Sequence, residues 1–184
     1  LYDDLVTVSV NQDELLRDWE DDPRNPSRDS RVVDAAGLPR PPKGGTPHSP
    51  HNLYCNVLLD TVSLGDGWIM FLDDDDMFNN DNALSEIVSH VVDEDTMIYW
   101  QMKFADGRLA PDTWNGTPRL GYIGSPCFLF HSKWKDHSWW DDWKCSDFRF
   151  VERLHKKIPN HVYIEKPFIQ IGGIGMGKRK DVQP

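Results

Sequence analysis

Residues 69–78 read IMFLDDDDMF, so an apolar run leads directly into four consecutive aspartates, Asp73, Asp74, Asp75 and Asp76. Four adjacent like charges repel, and holding them at the end of a buried strand costs free energy unless a cation is present. Carboxylate oxygens suit the hard cations Mg²⁺ and Mn²⁺, whose remaining positions substrate phosphates can fill. The sequence therefore predicts a strand over residues 68–72 that ends in a Mg²⁺ or Mn²⁺ site.

The composition excludes several classes of partner. The chain has 184 residues and a formal net charge of −10, which argues against binding nucleic acid or an anionic membrane surface. An anionic substrate would need a metal ion or a local basic patch. No apolar stretch approaches the roughly 18 residues of a membrane span. The size is that of one domain, which we take as residues 1–184.

The N-terminal residues and the cysteines indicate the cellular compartment of the protein. Three cysteines without metal-ligand spacing are typical of a reducing compartment, and no basic segment of a secretory signal precedes Asp3 and Asp4. We therefore expect a cytoplasmic protein. The start at Leu1 is compatible with a piece of a longer protein.

Helical and strand patterns alternate along the chain, which predicts an α/β fold with a mixed, mostly parallel sheet flanked by helices. Ligands of such sheets bind at the carboxyl ends of strands. Helices are predicted over residues 53–64, 83–92 and 148–156, and strands over 31–34, 68–72, 97–104 and 161–164.

Other interpretations of the acid run compete with a diphosphate-bound cation. A solvated charge run in a loop is the simplest of them. A calcium loop of the EF-hand type is rejected, because Phe78 and Leu84 occupy the positions that require Gly and Glu. A phosphatase with an aspartyl nucleophile also places carboxylates after an apolar strand. Met77 replaces the Thr of its usual motif, which weakens that alternative but leaves it open.

Several segments together resemble the GT-A glycosyltransferases, in particular inverting family 2. FLDDDD at 71–76 is similar to the DXD signature, and the helix that starts with NLYCN at 52–56 and the GDGW at 65–68 are similar to the segments that precede it. VVD at 32–34 resembles a strand end of the family. CSDFRFVERL at 145–154 resembles the segment of the catalytic base, with Ser146 in place of a Glu, and VYIEKP at 162–167 resembles the closing strand. The resemblance covers roughly residues 30–168.

The resemblance implies a GT-A, Rossmann-like fold and a metal-dependent hexosyl- or deoxyhexosyltransferase. Such an enzyme moves a sugar, with inversion, from a nucleotide-diphosphate donor, here a UDP-sugar, to a hydroxyl of a glycan or another acceptor. Asp75 and Asp73 are the implied metal ligands and Asp147 the implied general base, with Asp142 as competitor in the same acidic loop. Asp147 would serve equally as a helix N-cap. The predicted contacts to the nucleotide sugar are Asp34, Asn52, Asn56, Asp73, Asp74, Lys178 and Arg179.

A dense row of tryptophans suggests where the acceptor binds. Trp139, Trp140 and Trp143 lie beside acidic residues, and aromatic faces pack on the apolar face of a sugar while acids bond its hydroxyls. Core packing explains such rings equally well. A non-catalytic carbohydrate-binding module that uses these tryptophans is the alternative from a different functional class.

The end of the chain carries a concentrated basic segment. Residues 172–180 read GGIGMGKRK, in which glycines let backbone amides approach phosphate and Lys178 and Arg179 can neutralise it. We expect this segment to close over the diphosphate, against the alternative of a solvated terminus.

Overall fold

A computed structural model describes residues 52, 54–61, 65–73, 75–141 and 144–172. Six residues with predicted roles lie outside the described residues: Asp34, Asp74, Asp142, Trp143, Lys178 and Arg179. The predicted strand over residues 31–34 lies outside them as well.

An apolar strand, β3 (Thr96–Lys103), lies in the middle of the described sheet, and seven of its eight residues are buried. On one side it pairs with β5 (Phe128–His131), and on the other with β6 (Asn160–Gln170). Shorter strands extend the sheet: β1 (Trp68–Ile69) beside β5, β2 (Met77–Phe78) beside the end of β6, and β4 (Leu109–Ala110) beside the end of β3.

The mixed α/β character is confirmed, but the expectation of a mostly parallel sheet is wrong for the described strands. Only β3 and β6 run parallel, and the other four pairings among the described residues are antiparallel. The connections explain this result. A tight turn at Gly107 joins β3 to β4, and a short turn can join only antiparallel strands, whereas the parallel pair needs a long crossover.

Three helices match predicted ones apart from their ends: α1 (Tyr54–Thr61), α2 (Ala83–Ser89) and α3 (Ser146–His155). The buried face of α3 contains Phe150, Val151 and Leu154. Phe150 packs its ring against Phe128 and Phe130 of β5, with ring centroids 6.1 and 5.8 Å away. Two 3₁₀ segments flank β5, Ser125–Cys127 before it and Ser132–His137 after it.

The predicted strand over residues 68–72 is shorter in the structure, where β1 ends at Ile69. Phe71 packs between Phe128 and Phe150, with ring centroids 6.1 and 5.7 Å away, and Leu72 is 42% exposed. The apolar run is thus buried partly by the packing of the Phe71 ring and only partly by strand pairing.

The chain divides into two units. Among the described residues, the first unit holds residue 52, α1, and residues 139–141 and 144–146. The second holds the six strands, α2, and α3 from Asp147 onward. None of the helices in the described ranges has both the length and the apolar composition needed to cross a membrane.

Candidate functional site

Three residues of the acid cluster (residues 73–76) are described, and these three, Asp73, Asp75 and Asp76, lie between β1 and β2 and not at the end of a strand as predicted. The backbone N–H of Asp76 donates to the carbonyl oxygen of Asp73 at 3.0 Å, which closes the turn. Asp73 is exposed, whereas Asp75 and Asp76 are half-buried. Because β1 ends at Ile69, the strand before the cluster does not position these carboxylates.

The end of β6 lies against the acid cluster. Gln170 is opposite Met77 in the antiparallel ladder, and continuing that register places Gly172 opposite Asp75. The N–H of Gly172 donates to Oδ1 of Asp76 at 2.8 Å. Gly172 is the first residue of the predicted basic segment, so that segment starts at the acid cluster, while its cations lie outside the described residues.

A serine that the sequence did not single out contacts the cluster. Oγ of Ser125 donates to Oδ2 of Asp73 at 3.2 Å. Ser125 begins the first 3₁₀ segment, which is anchored on the sheet because the indole N–H of Trp100 donates to the carbonyl oxygen of Pro126 at 2.9 Å. Asp73 is therefore oriented by a segment held on the central strand.

The same segment connects the cluster with the predicted base. Cys127 is fully buried, and burial together with the nearby charge of Asp147 raises the pKa of its thiol to about 12, although a hydrogen bond with Gly124 opposes the rise. Ser125 and Cys127 are two residues apart, so their Cα atoms are at most about 7 Å apart. Ser125 donates to Asp73, and Phe71, two residues before Asp73, packs on Phe150 of the helix that begins beside Asp147, with ring centroids 5.7 Å apart. These contacts bring the segments that carry the two carboxylates together.

Asp147 lies within the first turn of α3, one residue after the helix begins, and is not the N-cap. Its Oδ1 accepts the N–H of Phe148 at 2.8 Å. Carboxylates are stabilised near helix N-termini, and this hydrogen bond fixes the orientation of the group.

Asn56, a predicted nucleotide contact, has a structural role in the first unit. Its side chain is buried, its Nδ2 donates to the carbonyl oxygen of Trp140, and its Oδ1 accepts the N–H of Trp140, both at 2.7 Å. Both ends of the amide thus pair with the backbone, which gives Asn56 a structural role, and its nucleotide contact stays a prediction. Trp140 is 3% exposed, so its ring packs in the interior and is not the sugar platform we expected. Trp139 and Asn52 are half-buried, and their roles stay predictions.

A second group of possible metal ligands consists of Asp66, Glu94 and His131, whose ligand atoms lie within 4.8 Å of one another. Nε2 of His131 is 3.5 Å from Asp66 Oδ1 and 4.0 Å from Glu94 Oε1. However, Nδ1 of His131 accepts the N–H of Lys133 at 3.4 Å. With Nδ1 accepting, the proton of a neutral imidazole lies on Nε2, so a cation at Nε2 would first have to displace that proton. The three residues are far apart in the sequence, and no local pattern predicted their meeting.

A pair of histidines closes the other end of α3. His155 and His161 stack with ring centroids 3.8 Å apart, and Nδ1 of His155 is 3.0 Å from the hydroxyl of buried Tyr99. Burial, and then the neighbouring His161, lowers the pKa of His155 from 6.5 to about 4. The arrangement favours a neutral His155 that packs the helix end onto the sheet.

Comparison with known proteins adds no family to this geometry. No protein-family model matches the chain, and no curated protein or solved structure matches it significantly.

Proposed function

We propose that this protein is a metal-dependent glycosyltransferase that moves a sugar from a nucleotide-diphosphate donor to a hydroxyl acceptor with inversion. A UDP-sugar is the expected donor. One observation carries the proposal: Phe71, two residues before Asp73, packs its ring on Phe150, which lies one helical turn after Asp147, with the ring centroids 5.7 Å apart.

Inverting transfer needs two carboxylate functions in one site. One set holds the cation that faces the leaving diphosphate, and a separate carboxylate removes the proton of the attacking hydroxyl. In this reaction a bond forms between the acceptor oxygen and the anomeric carbon, the bond from that carbon to phosphate breaks with its electron pair, and the proton moves to the base. The acid cluster and Asp147 fit these two functions.

The donor set of the cluster fits Mg²⁺ or Mn²⁺, because the side chains offer only carboxylate oxygens. Asp75 and Asp73 would hold the ion. A bound divalent cation would supply the positive charge that stabilises the departing diphosphate. The hydrogen bond from Ser125 orients Asp73, as outer partners of metal ligands commonly do.

Asp147 would act as the base through a fixed orientation. Its hydrogen bond with the N–H of Phe148 sets the carboxylate at the start of α3, and the buried face of that helix packs in the sheet core. A base held in this way needs no reorganisation when the acceptor hydroxyl arrives.

The experiment that tests the proposal compares two cluster variants by calorimetric titration of UDP in the presence of Mn²⁺. Asp75→Asn should abolish UDP binding and leave the melting temperature at least as high in the metal-free protein, because one like charge is removed. Asp81→Asn, an exposed aspartate of the same unit, is the matched control and should bind UDP as the wild type does. Equal UDP affinity in Asp75→Asn and wild type would refute the cation assignment.

Transfer itself is measured as release of UDP from a panel of UDP-sugars, with and without acceptor glycans. Asp147→Asn should lower the rate by about 10²-fold or more, the usual effect of losing a positioned base, with UDP affinity nearly unchanged. A variant that loses UDP affinity instead would place Asp147 in the donor site.

A further inference from the structure

The support of the acid cluster comes from the far end of the chain. β1 ends four residues before Asp73, while β2 begins directly after Asp76 and pairs with the last residues of β6. The turn is thus attached to the sheet by its downstream side.

Two successive backbone amides hold the end of β6 on both edges. The N–H of Ile171 donates to the carbonyl oxygen of Lys103 in β3 at 2.8 Å, and the N–H of Gly172 donates to Oδ1 of Asp76 at 2.8 Å. In an extended chain consecutive amides point in opposite directions, so one strand end binds the central strand and the acid cluster together.

The residue at position 172 has no room for a side chain. A Cβ built there would overlap the carbonyl oxygen of Asp75 and lie 2.7 Å from its Oδ2. The obstacle is backbone, which cannot move aside as a flexible side chain can. The requirement for glycine comes from this close approach, since only glycine lets a second backbone approach so closely.

We infer that Gly172 is a positioning residue of the acid cluster, and that the main role of Asp76 is to anchor the cluster to it. This inference rests on the proposed function and assigns different roles to neighbouring carboxylates. The N–H of Gly172 donates to Oδ1 of Asp76, which ties that carboxylate to the end of β6. The backbone of Asp75 lies directly against Gly172, and this close approach holds Asp75 in place.

The first test measures Mn²⁺ binding from the paramagnetic resonance signal of the free aqueous ion, without nucleotide or turnover. Gly172→Ala should weaken Mn²⁺ affinity by about 10- to 100-fold, the usual effect of losing a group that orients metal ligands. Gly67→Ala is the matched control, because no atom lies within 4 Å of a Cβ at that position and its φ is not left-handed. It should bind Mn²⁺ as the wild type does.

The second test leaves the backbone unchanged and separates anchoring from ligation. Asp76→Asn keeps an oxygen that accepts the N–H of Gly172, whereas Asp76→Ala removes it. We expect Asp76→Ala to lose Mn²⁺ affinity about 10- to 100-fold and Asp76→Asn to lose only a few-fold, from the missing charge. Hydrogen exchange of the Gly172 amide in the metal-free protein should be slow in the wild type and Asp76→Asn, and faster in Asp76→Ala.

The outcomes distinguish the positioning role of Gly172 and Asp76 from the proposed function. Equal losses in Asp76→Asn and Asp76→Ala would make Asp76 a cation ligand and overturn the inference. Wild-type affinity in Gly172→Ala, or in Asp76→Ala, would also overturn it. Graded Mn²⁺ losses in a protein that binds no UDP would support the positioning role and refute the proposed function. A wild type that binds no Mn²⁺ would refute both. If Gly172→Ala does not fold, as judged by circular dichroism, the pair of Asp76 variants decides.

Discussion

Replacement of Asn56 by alanine tests whether that side chain supports the fold or contacts the nucleotide. Both of its hydrogen bonds, at 2.7 Å, go to the backbone of Trp140, and both residues are buried. The structure therefore predicts a loss of stability and no direct effect on donor binding.

The magnitude follows from the groups that the substitution affects. Asn56→Ala removes the partner of one buried N–H and one buried C=O of Trp140, and each such loss costs about 1–3 kcal/mol. The sum is about 2–6 kcal/mol, and a water molecule that enters the vacated volume would bring the value toward the lower end.

Urea denaturation followed by tryptophan fluorescence measures this change as a shift of the midpoint at constant slope. Asp60→Ala is the matched control, because Asp60 lies on the same helix and is exposed, and its free energy of unfolding should change by less than about 0.5 kcal/mol. Titration of UDP with Mn²⁺ on folded Asn56→Ala should give the wild-type affinity. Unchanged stability together with lost UDP affinity would refute the structural assignment.

Two further predictions concern the histidines. Since the pKa of His155 is lowered from 6.5 to about 4, the unfolded chain binds the proton first, and stability should decrease as the pH falls from 6.5 to about 4. His155→Gln should make that decrease smaller in urea titrations at each pH, whereas His137→Gln, at an exposed site, should not. Glu94→Gln should leave Mn²⁺ affinity unchanged, because the proposed cation ligands are Asp73 and Asp75 and not the group of Asp66, Glu94 and His131. A large loss of Mn²⁺ affinity in Glu94→Gln would move the cation site to that group.

Elements with local signals were predictable from the sequence. β3 is an apolar, β-branched and aromatic run, and the structure buries seven of its eight residues. The turn that follows contains Gly107 with φ of 85°, a conformation that glycine adopts readily. α2 and α3 follow the helical spacing of their buried residues. In each case the information lies within a few neighbouring positions.

Strand length and direction were not predictable, because they depend on distant partners. The run at 69–72 has the composition of a strand, but its pairing with β5 ends at Ile69 and Phe71 packs on rings from two other elements. Likewise, nothing within β5 indicates that it lies antiparallel to β3. The composition of a segment indicates that it is buried. The length and direction of its strand pairing depend on the other segments that pack against it.

The residue that positions the acid cluster, Gly172, has the weakest sequence signal of all. Its role depends on having no side chain. Gly172 is 96 residues from Asp76 and carries no charge or apolar group that could enter a pattern. A glycine close to the end of a strand, here two residues after Gln170, is the one local indication of a close backbone approach. The sequence therefore predicted the carboxylates but not the residue that positions them.

The position of Gly172 also changes the electrostatic argument about the four aspartates. From the sequence alone, their mutual repulsion predicts that a cation is needed before the turn can hold its shape. In the structure, a backbone N–H already donates to Asp76, and a serine hydroxyl donates to Asp73. These donors stabilise negative charge without a metal ion, so the described turn can be formed before the ion binds. A cation then meets carboxylates that are already oriented, and its binding free energy is not spent on ordering the turn.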